Sequence, residues 1–398
     1  MTDETSNSSN SAQEALTVNR EGTRASQKKK PNRKLTLGLS LLAVVALAGG
    51  AAGLGLSGCS KKTEAAAPVK VKSTTAPTTT PTTTTTIAVG PTAALTGVQL
   101  NLDDAAGAAL LARPVLVAKM DNSPEAMPQI GIEQADMVIE LKVEGISRYM
   151  TVFQSKDVQQ IGPIRSARTS DPDLLAMFGR PLVAWSGGNE NVVQVMAETP
   201  WIQSESHSQA PDAYSRSSAK KAPHNLILDA PKLYSYADQP TVLPSQLFNY
   251  VTPGQDPGGT PVPGFDMKVG MSPMGFVWDP ATSTWLRWSN NRRHLAADGA
   301  QIAPTNVVVL ETPYAASAAD SRSPEAQTIG FGNAWVFTQG RMTVGTWERS
   351  ARDQPWKLTS ATGQPMLLTP GSTFVELPET GTSPRLLDEA TAAQLQAG

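Results

Sequence analysis

The sequence predicts a mixed first domain, of the α+β or α/β class, followed by a smaller and mostly β second domain. Alternating apolar and polar residues over 136–144, and again over 148–154, indicate two strands joined as a hairpin. Helix-start signals lie among further strands, and a Pro- and Gly-rich stretch precedes a series of short strand-like segments. We therefore expect domains at 99–250 and 274–380, a linker at 251–273 and a C-terminal tail at 381–398.

The first 98 residues predict no folded domain. Residues 1–34 are rich in polar groups and end in a cluster of basic residues, so we expect a disordered n-region there. Residues 35–58 carry no charge and are long enough to cross a bilayer. Residues 59–98 contain runs of threonine and four prolines, which predicts a semi-extended Thr/Pro/Ala-rich tether with a reach of about 100 Å.

Cys59 is the only cysteine of the chain, and it follows Leu56-Ser57-Gly58. A basic cluster, an apolar stretch and then Leu-Ser-Gly-Cys together resemble a bacterial lipoprotein signal. The resemblance implies a cleaved signal peptide and a lipid such as palmitate on Cys59, which anchors the mature protein to the cell membrane. The alternative is an uncleaved N-terminal membrane helix. In both cases the bulk of the chain lies outside the cytoplasm, because the positive charges stay inside.

The charge of the chain limits its partners. Residues 1–58 carry a net charge of +3 and the whole chain carries −2, so the remaining 340 residues carry about −5. Nucleic-acid binding usually requires a basic footprint, so we expect no nucleic-acid partner.

The first domain begins with a buried strand over 114–120 that ends in the turn Asp121-Asn122-Ser123-Pro124. In the next strand, 136–144, Asp136, Glu140 and Glu144 share one side and apolar residues occupy the other. This alternation predicts one face on the core and one charged face open to water or to a ligand.

Two further helix and strand signals complete the first domain. Ser170-Asp171-Pro172 predicts a short helix that continues to residue 178. Residues 181–185 indicate another buried strand, which ends in Ser186-Gly187-Gly188 before a second helix. Such a glycine turn is usually structural, but its backbone N–H groups could also bind an anion.

The second domain is predicted from short strands and from its aromatic content. Six of the eight tryptophans lie beyond residue 273, and they predict a small β core. The alternative is a platform on which carbohydrate stacks. The strand-like segments are 276–278, 284–288, 306–310, 334–338, 342–347, 366–368 and 373–377.

The string Gly-Pro-Ile-Arg-Ser-Ala-Arg at 162–168 and several shorter segments resemble motifs of the YerB-like bacterial lipoproteins, a family of unknown function, over about residues 110–380. The resemblance implies a lipoprotein with an N-terminal and a C-terminal part and implies no activity. Gly145-Ile146-Ser147 departs from the family, which often has a second glycine there. The matching segments are 113–122, 134–136, 143–148, 153–154, 161–168, 223–225, 306–309, 345–347 and 371–374, of which Gly-Pro-Ile-Arg-Ser-Ala-Arg at 162–168 is the most specific.

The candidate ligand site consists of basic side chains near the acidic strand. Arg165 and Arg168 are three residues apart on a bend, and Arg148 opens the neighbouring strand. Arginine presents a planar fork of donors that suits phosphate or carboxylate, which predicts an anion site formed by these three residues. His224 could join them, as could Arg216, Lys220 and Lys221. The alternative is a structural network in which the arginines pair with Asp136, Glu140 and Glu144.

An enzyme is the second functional alternative. Asp121 and Asp136, beside Arg165 and Arg168, would be its candidate catalytic residues, by loose analogy with LytR-type transferases of the cell wall. A divalent cation is expected only in this case, and otherwise we expect no cofactor. The three histidines are widely spaced, and the only cysteine, Cys59, is expected to carry the lipid. Both observations argue against a zinc site.

These observations predict a lipid-anchored protein of the cell envelope. We expect it to bind an anionic wall component or a protein partner without catalysis. The alternative is an enzyme that acts on a phosphate-bearing wall polymer or lipid.

Overall fold

Strands make up most of the fold, as the alternating patterns predict. The computed structural model describes residues 89–101 and 103–397. The predicted n-region, the signal segment with Cys59 and most of the tether lie outside the described residues.

The first half of the described chain contains eleven strands. They are β1 (Val89–Thr92), β2 (Gln99–Asn101), β3 (Leu116–Asp121), β4 (Met137–Lys142), β5 (Ser147–Phe153), β6 (Gln160–Ile161), β7 (Leu182–Trp185), β8 (Gln203–Ser206), β9 (Tyr214–Arg216), β10 (Leu226–Asp229) and β11 (Asn249–Tyr250).

The second half contains fourteen strands. They are β12 (Thr260–Pro261), β13 (Gly264–Val269), β14 (Ser272–Asp279), β15 (Thr284–Ser289), β16 (Arg292–Arg293), β17 (Asn306–Leu310), β18 (Tyr314–Ala316), β19 (Pro324–Ala326), β20 (Gly330–Thr338), β21 (Arg341–Arg349), β22 (Lys357–Ser360), β23 (Leu367–Leu368), β24 (Thr373–Leu377) and β25 (Arg385–Leu386).

The described residues contain five α-helices, all short. They are α1 (Ala105–Ala112), α2 (Asp171–Leu175), α3 (Glu190–Glu198), α4 (Ala230–Tyr234) and α5 (Glu389–Ala397). A short 3-10 segment, Ala176–Phe178, follows α2 directly and extends it to the predicted end of that helix. Asn189 caps α3, because its side chain accepts a hydrogen bond from the backbone N–H of Val192 at 2.9 Å.

One mixed sheet of eleven strands, the main sheet, joins the two halves of the chain. Its order is β12-β21-β20-β17-β24-β4-β5-β3-β7-β8, with β22 paired to β21. The junction is β24, which lies parallel to β17 on one side and parallel to β4 on the other. The predicted hairpin is confirmed as the antiparallel pair of β4 and β5.

The main sheet is covered on both faces. On the first face, Tyr149 and Phe153 of β5 belong to a buried cluster with Phe265, Phe276 and Trp285 from a second, five-stranded sheet. That second sheet has the order β16-β15-β14-β13-β25. On the second face, Met150 and Val152 of β5 belong to another cluster, which includes α2 and α3 residues Leu174, Val192 and Met196. Neighbouring residues of one strand therefore enter different cores.

The mixed α and β character of the first half is confirmed, but a separate, smaller second domain is not. Strands from both sides of the expected linker share the main sheet, and the described residues belong to one compact unit. The expected linker, tail and tether also contain structure. Residues 264–269 and 272–273 belong to strands, 389–397 to a helix and 89–92 to a strand. The proposed division of the sequence at 251–273 stays a prediction.

The predicted charged face of β4 is not open to water. Glu140 is 0% exposed and Asp136 is 1% exposed. The tryptophan pattern fits a core role, because Trp285 and Trp347 are almost fully buried.

Candidate functional site

The site is built where β3 ends and β5 begins. Asp121, the last residue of β3, is the register partner of Arg148 in the antiparallel pair of β3 and β5. Both side chains are buried and lie on the second face of the main sheet, where Lys119 of β3 also lies. The polar residues that end an apolar strand are therefore brought together by the register alone.

The segment 161–168 runs beside β3 and places Arg165 and Arg168 at the site. The backbone N–H of Asp121 donates to the carbonyl of Pro163 at 2.9 Å, and the N–H of Arg165 donates to the carbonyl of Lys119 at 2.8 Å. Gly162 is required at this approach, since a Cβ atom there would lie 2.9 Å from the carbonyl oxygen of Leu226.

Asp121 is the buried anion at the centre of the site. Its Oδ2 lies 2.7 Å from Nδ1 of His224 and 3.1 Å from Nε of Arg165, and its Oδ1 accepts the backbone N–H of Ser123 at 3.0 Å. Nδ1 of His224 also lies 2.9 Å from Oγ of Ser123. Because both contacts use the same ring nitrogen, the ring cannot pass a proton from Ser123 to Asp121 as in a serine-hydrolase triad.

Arg168 is held by two carboxylates. Its Nε and Nη2 donate to the two oxygens of Glu144 at 2.7 and 2.8 Å, and its backbone N–H donates to Asp171 at 2.8 Å. Although burial opposes the shift, hydrogen bonds from Arg168 and Ser323 lower the pKa of Glu144 to about 2. Asp171 also pairs with Lys119 at 2.8 Å, and both of these side chains are fully buried.

Among the four basic side chains of the site, Arg148 is the one without a carboxylate partner in the part of the chain that the structure describes. Within the described part of the chain, Lys119 pairs with Asp171, Arg165 with Asp121 and Arg168 with Glu144, whereas no carboxylate oxygen lies within 4.0 Å of Arg148. Arg148 is only 5% exposed. Its Nη1 donates to the carbonyl of Ser166 at 3.2 Å, but its buried Nε has no hydrogen-bond partner among the described residues.

The surroundings of Arg148 disfavour its charge. Burial, followed by repulsion from Arg168 and Arg165, lowers the pKa of Arg148 to about 10. At neutral pH the side chain is still charged, so the cluster holds a buried positive charge that its own carboxylates do not neutralise. We refer to Arg148, Arg165 and Arg168 as the arginine cluster.

The structure brings together most of the predicted site residues and leaves two outside. The arginine cluster, Asp121, Glu144 and His224 form one site. Asp136 lies at the far end of β4, where it accepts the backbone N–H groups of Gln154 and Ser155. Glu140 lies on the opposite face of the main sheet, where it pairs with Arg287.

Arg216 and Lys220, which were predicted to support the arginine cluster, form hydrogen bonds with other parts of the chain instead. Arg216 donates to the side chain of Asn225 at 2.8 Å, and Lys220 donates to the carbonyl of Pro128 at 2.6 Å. Sequence reasoning missed Lys119 and Asp171. A lysine in an otherwise apolar buried strand was the signal that could have identified Lys119.

Within 89–101 and 103–397, no three or more His, Cys, Asp or Glu side chains are grouped closely enough to hold a metal ion. The same ranges contain no helix that is long and apolar enough to cross a bilayer.

Comparisons with known proteins agree with the motifs of the sequence. Residues 95–242 match the family described as "Protein of unknown function (DUF3048) N-terminal domain", and residues 265–375 match its C-terminal domain. A 57-residue segment is 49% identical to the Bacillus subtilis (strain 168) protein described as "Putative lipoprotein YerB". That match covers 14% of this chain and 17% of the relative's length.

A crystal structure of the YerB protein from Bacillus subtilis is similar over 74% of this chain and 99% of that chain, with a TM-score of 0.63 and 19% sequence identity. At this identity the likeness shows the fold. Since both parts of the family match in order, this chain belongs to the YerB-like family of proteins of unknown function that is described as DUF3048.

Proposed function

We propose that this protein is a lipid-anchored, extracytoplasmic protein of the cell envelope that binds an anionic group through Arg148, Arg165 and Arg168. The group belongs to a cell-wall component or to a partner protein. The observation that carries the proposal is the buried guanidinium of Arg148, which lacks a carboxylate partner among the described residues. An uncompensated buried charge is costly, and a bound anion would remove that cost.

The chemistry of the cluster suits phosphate or carboxylate. Guanidinium groups donate in a planar fork that matches two oxygens of such an anion. Arg165 and Arg168 remain 19% and 14% exposed at their side chains, so a ligand can reach them from solvent. Their own carboxylate partners fix their positions, which reduces the entropy lost when a ligand binds.

Binding is tested with inorganic phosphate as the probe. We expect Arg148→Gln to weaken phosphate binding about tenfold or more, because a hydrogen bond to a charged group contributes about 1.5–3 kcal/mol. Titration calorimetry at constant ionic strength measures this loss. Arg385→Gln is the matched control, since Arg385 pairs with Asp266 at an exposed place outside the cluster.

Two results would contradict the binding proposal. One is an Arg148→Gln variant that binds phosphate as tightly as the wild type. The other is a wild type that binds neither phosphate nor a dicarboxylate such as succinate.

The anchor is tested at Cys59. We expect Cys59→Ser to lose the lipid label, because the thiol that would carry the acyl chain is missing. Labelling with an alkyne-bearing palmitate followed by fractionation checks both the lipid and its position. An unlabelled wild-type protein, or a Cys59→Ser variant that is still labelled, would contradict the lipid anchor.

A second candidate is an enzyme that acts on a phosphate-bearing wall polymer or lipid, in the manner of the LytR-type transferases. One observation favours it: Asp121 holds Nδ1 of His224 at 2.7 Å beside the arginine cluster, and a carboxylate in this position can orient a general base. Asp136 is too far along β4 to take part. Release of products from an isolated wall polymer would distinguish this candidate from simple binding.

A further inference from the structure

A second buried polar cluster lies on the first face of the main sheet, between that sheet and the five-stranded sheet. Its centre is the carboxyl pair, Glu140 of β4 and Glu376 of β24. The two residues are register partners in the parallel pair of strands, and both are 0% exposed. Neighbouring strands lie about 4.8 Å apart, so two carboxyl groups share one dry place.

Arg287 of β15 supplies one positive charge to this place. Its Nη2 donates to Oε2 of Glu140, and its Nε lies 4.0 Å from Oε1 of Glu376. Arg287 is also 0% exposed. One cation therefore faces two carboxyl groups in a part of the protein that water does not reach.

The other ionisable groups that face the pair are neutral. Nδ1 of His294, the residue after β16, lies 2.8 Å from Nη1 of Arg287, and its Nε2 lies 2.8 Å from the side-chain oxygen Oε1 of Gln129. Because a guanidinium only donates, Nδ1 must accept, and the ring carries a single proton on Nε2. Burial and the charge of Arg287 also hold the pKa of His294 well below its ordinary value. Tyr149 of β5 and Tyr314 of β18 have raised pKa values because they are buried.

The hydrogen-bond donors are divided unequally between the two carboxyl groups. Glu140 accepts from Arg287, from Asn122 at 3.0 Å and from the hydroxyl of Ser147. Neither oxygen of Glu376 has a hydrogen-bond partner among the described residues. An ionised carboxylate only accepts hydrogen bonds and needs donors around it, whereas a protonated carboxyl group has an O–H donor itself.

We propose that the carboxyl pair binds a single proton, carried by Glu376, and that this proton neutralises the buried joint between the two sheets. Glu140 keeps its negative charge and pairs with Arg287. Glu376 stays a neutral acid at physiological pH. The arrangement follows from charge balance, because two carboxylates beside one guanidinium would leave a buried negative charge.

The proton makes stability depend on pH in a definite direction. Burial, and then the charge of Glu140, raise the pKa of Glu376 well above its ordinary value of 4.5. The folded state then binds a proton that the unfolded state releases, so the stabilisation is complete below the unfolded pKa and is lost as the pH rises towards the folded pKa. Within that window the unfolding constant rises about tenfold per pH unit.

The test compares Glu376→Gln, Glu140→Gln and the double variant with the wild type in urea denaturation between about pH 7 and about pH 8.5. We expect the wild type to lose stability across this range and each single variant to lose that dependence. In each single variant one carboxylate is left to pair with Arg287. The double variant leaves Arg287 without a counter-charge, so we expect it to be much less stable than either single variant.

An independent readout does not require the variants to share the same stability. The infrared carbonyl band of a protonated carboxylic acid should be present in the folded wild type at neutral pH and missing from Glu376→Gln. The proposal is overturned if that band is absent from the wild type. It is also overturned if Glu376→Gln keeps the wild-type pH dependence, or if the double variant is as stable as the single variants.

Discussion

At the scale of single residues, burial determines which charges matter. Lys119 and Asp171 form an ion pair at 2.8 Å with both side chains 0% exposed. Burial lowers the pKa of Lys119, Asp171 opposes this shift, and the nearby Arg148 and Arg168 add to it. Asp171 therefore compensates a lysine in a place that already holds an excess of positive charge.

We expect Asp171→Asn to destabilise the protein by about 3–5 kcal/mol, because it leaves Lys119 charged and buried. The double variant Lys119→Met with Asp171→Asn should recover a large part of that loss, since it removes the charge as well as its partner. Urea denaturation measures both free energies of unfolding. Equal losses in the single and double variants would show that the pair does not act through charge.

Residue patterns predicted part of the candidate site. Arg148, Arg165, Arg168, Asp121 and His224 meet, as short spacings and strand ends suggested. The predicted common face of Glu140 and Glu144 is wrong, because β4 ends at Lys142 and Gly145 turns the chain with φ at +76°. Glu144 therefore leaves the strand and reaches Arg168, whereas Glu140 stays in the strand.

The partners of Glu140 could not be read from its neighbourhood. Arg287 and Glu376 lie more than 140 residues away in the sequence, and only the assembled sheets bring them to Glu140. Alternation of polar and apolar residues indicates that two faces differ, but it cannot show that distant charges cover the polar one.

At the scale of elements, local patterns predicted strands and could not predict their order. The segments 306–310 and 373–377 were predicted residue by residue and are the strands β17 and β24. That β24 inserts beside β4 is a non-local, parallel pairing, for which the sequence carries no turn signal.

The position of β24 predicts that the two halves cannot fold apart. We expect a chain cleaved at an engineered protease site between Gly254 and Gly258 to stay associated and folded, because a Cβ atom at either glycine meets open space. Each separated half should be unfolded, since the cut separates β4 from β24, which are neighbours at the centre of the main sheet. Circular dichroism of the nicked protein, the isolated halves and their mixture measures this, and a folded isolated 1–254 fragment would refute it.

At the scale of the whole molecule, the main sheet separates two polar sites that share strand ends. Asp121 and Arg148 point to the arginine cluster, while their neighbours Asn122 and Ser147 point to the other face and donate to Glu140. Adjacent residues at the end of β3 and the start of β5 therefore support the two sites, one on each face of the main sheet.

If the protein is exported, as we propose, the central place of β24 affects how it folds. Met137 of β4 cannot pair with Thr373 of β24 until that residue, more than 230 positions later in the sequence, is available. If the chain crosses the membrane with its N-terminus first, the sheet cannot close until nearly the whole polypeptide has emerged. The newly exported half then exposes an unpaired strand edge, which is prone to aggregation. We therefore expect release from the translocation machinery, and protection by a chaperone until that moment, to set the pace at which this protein matures.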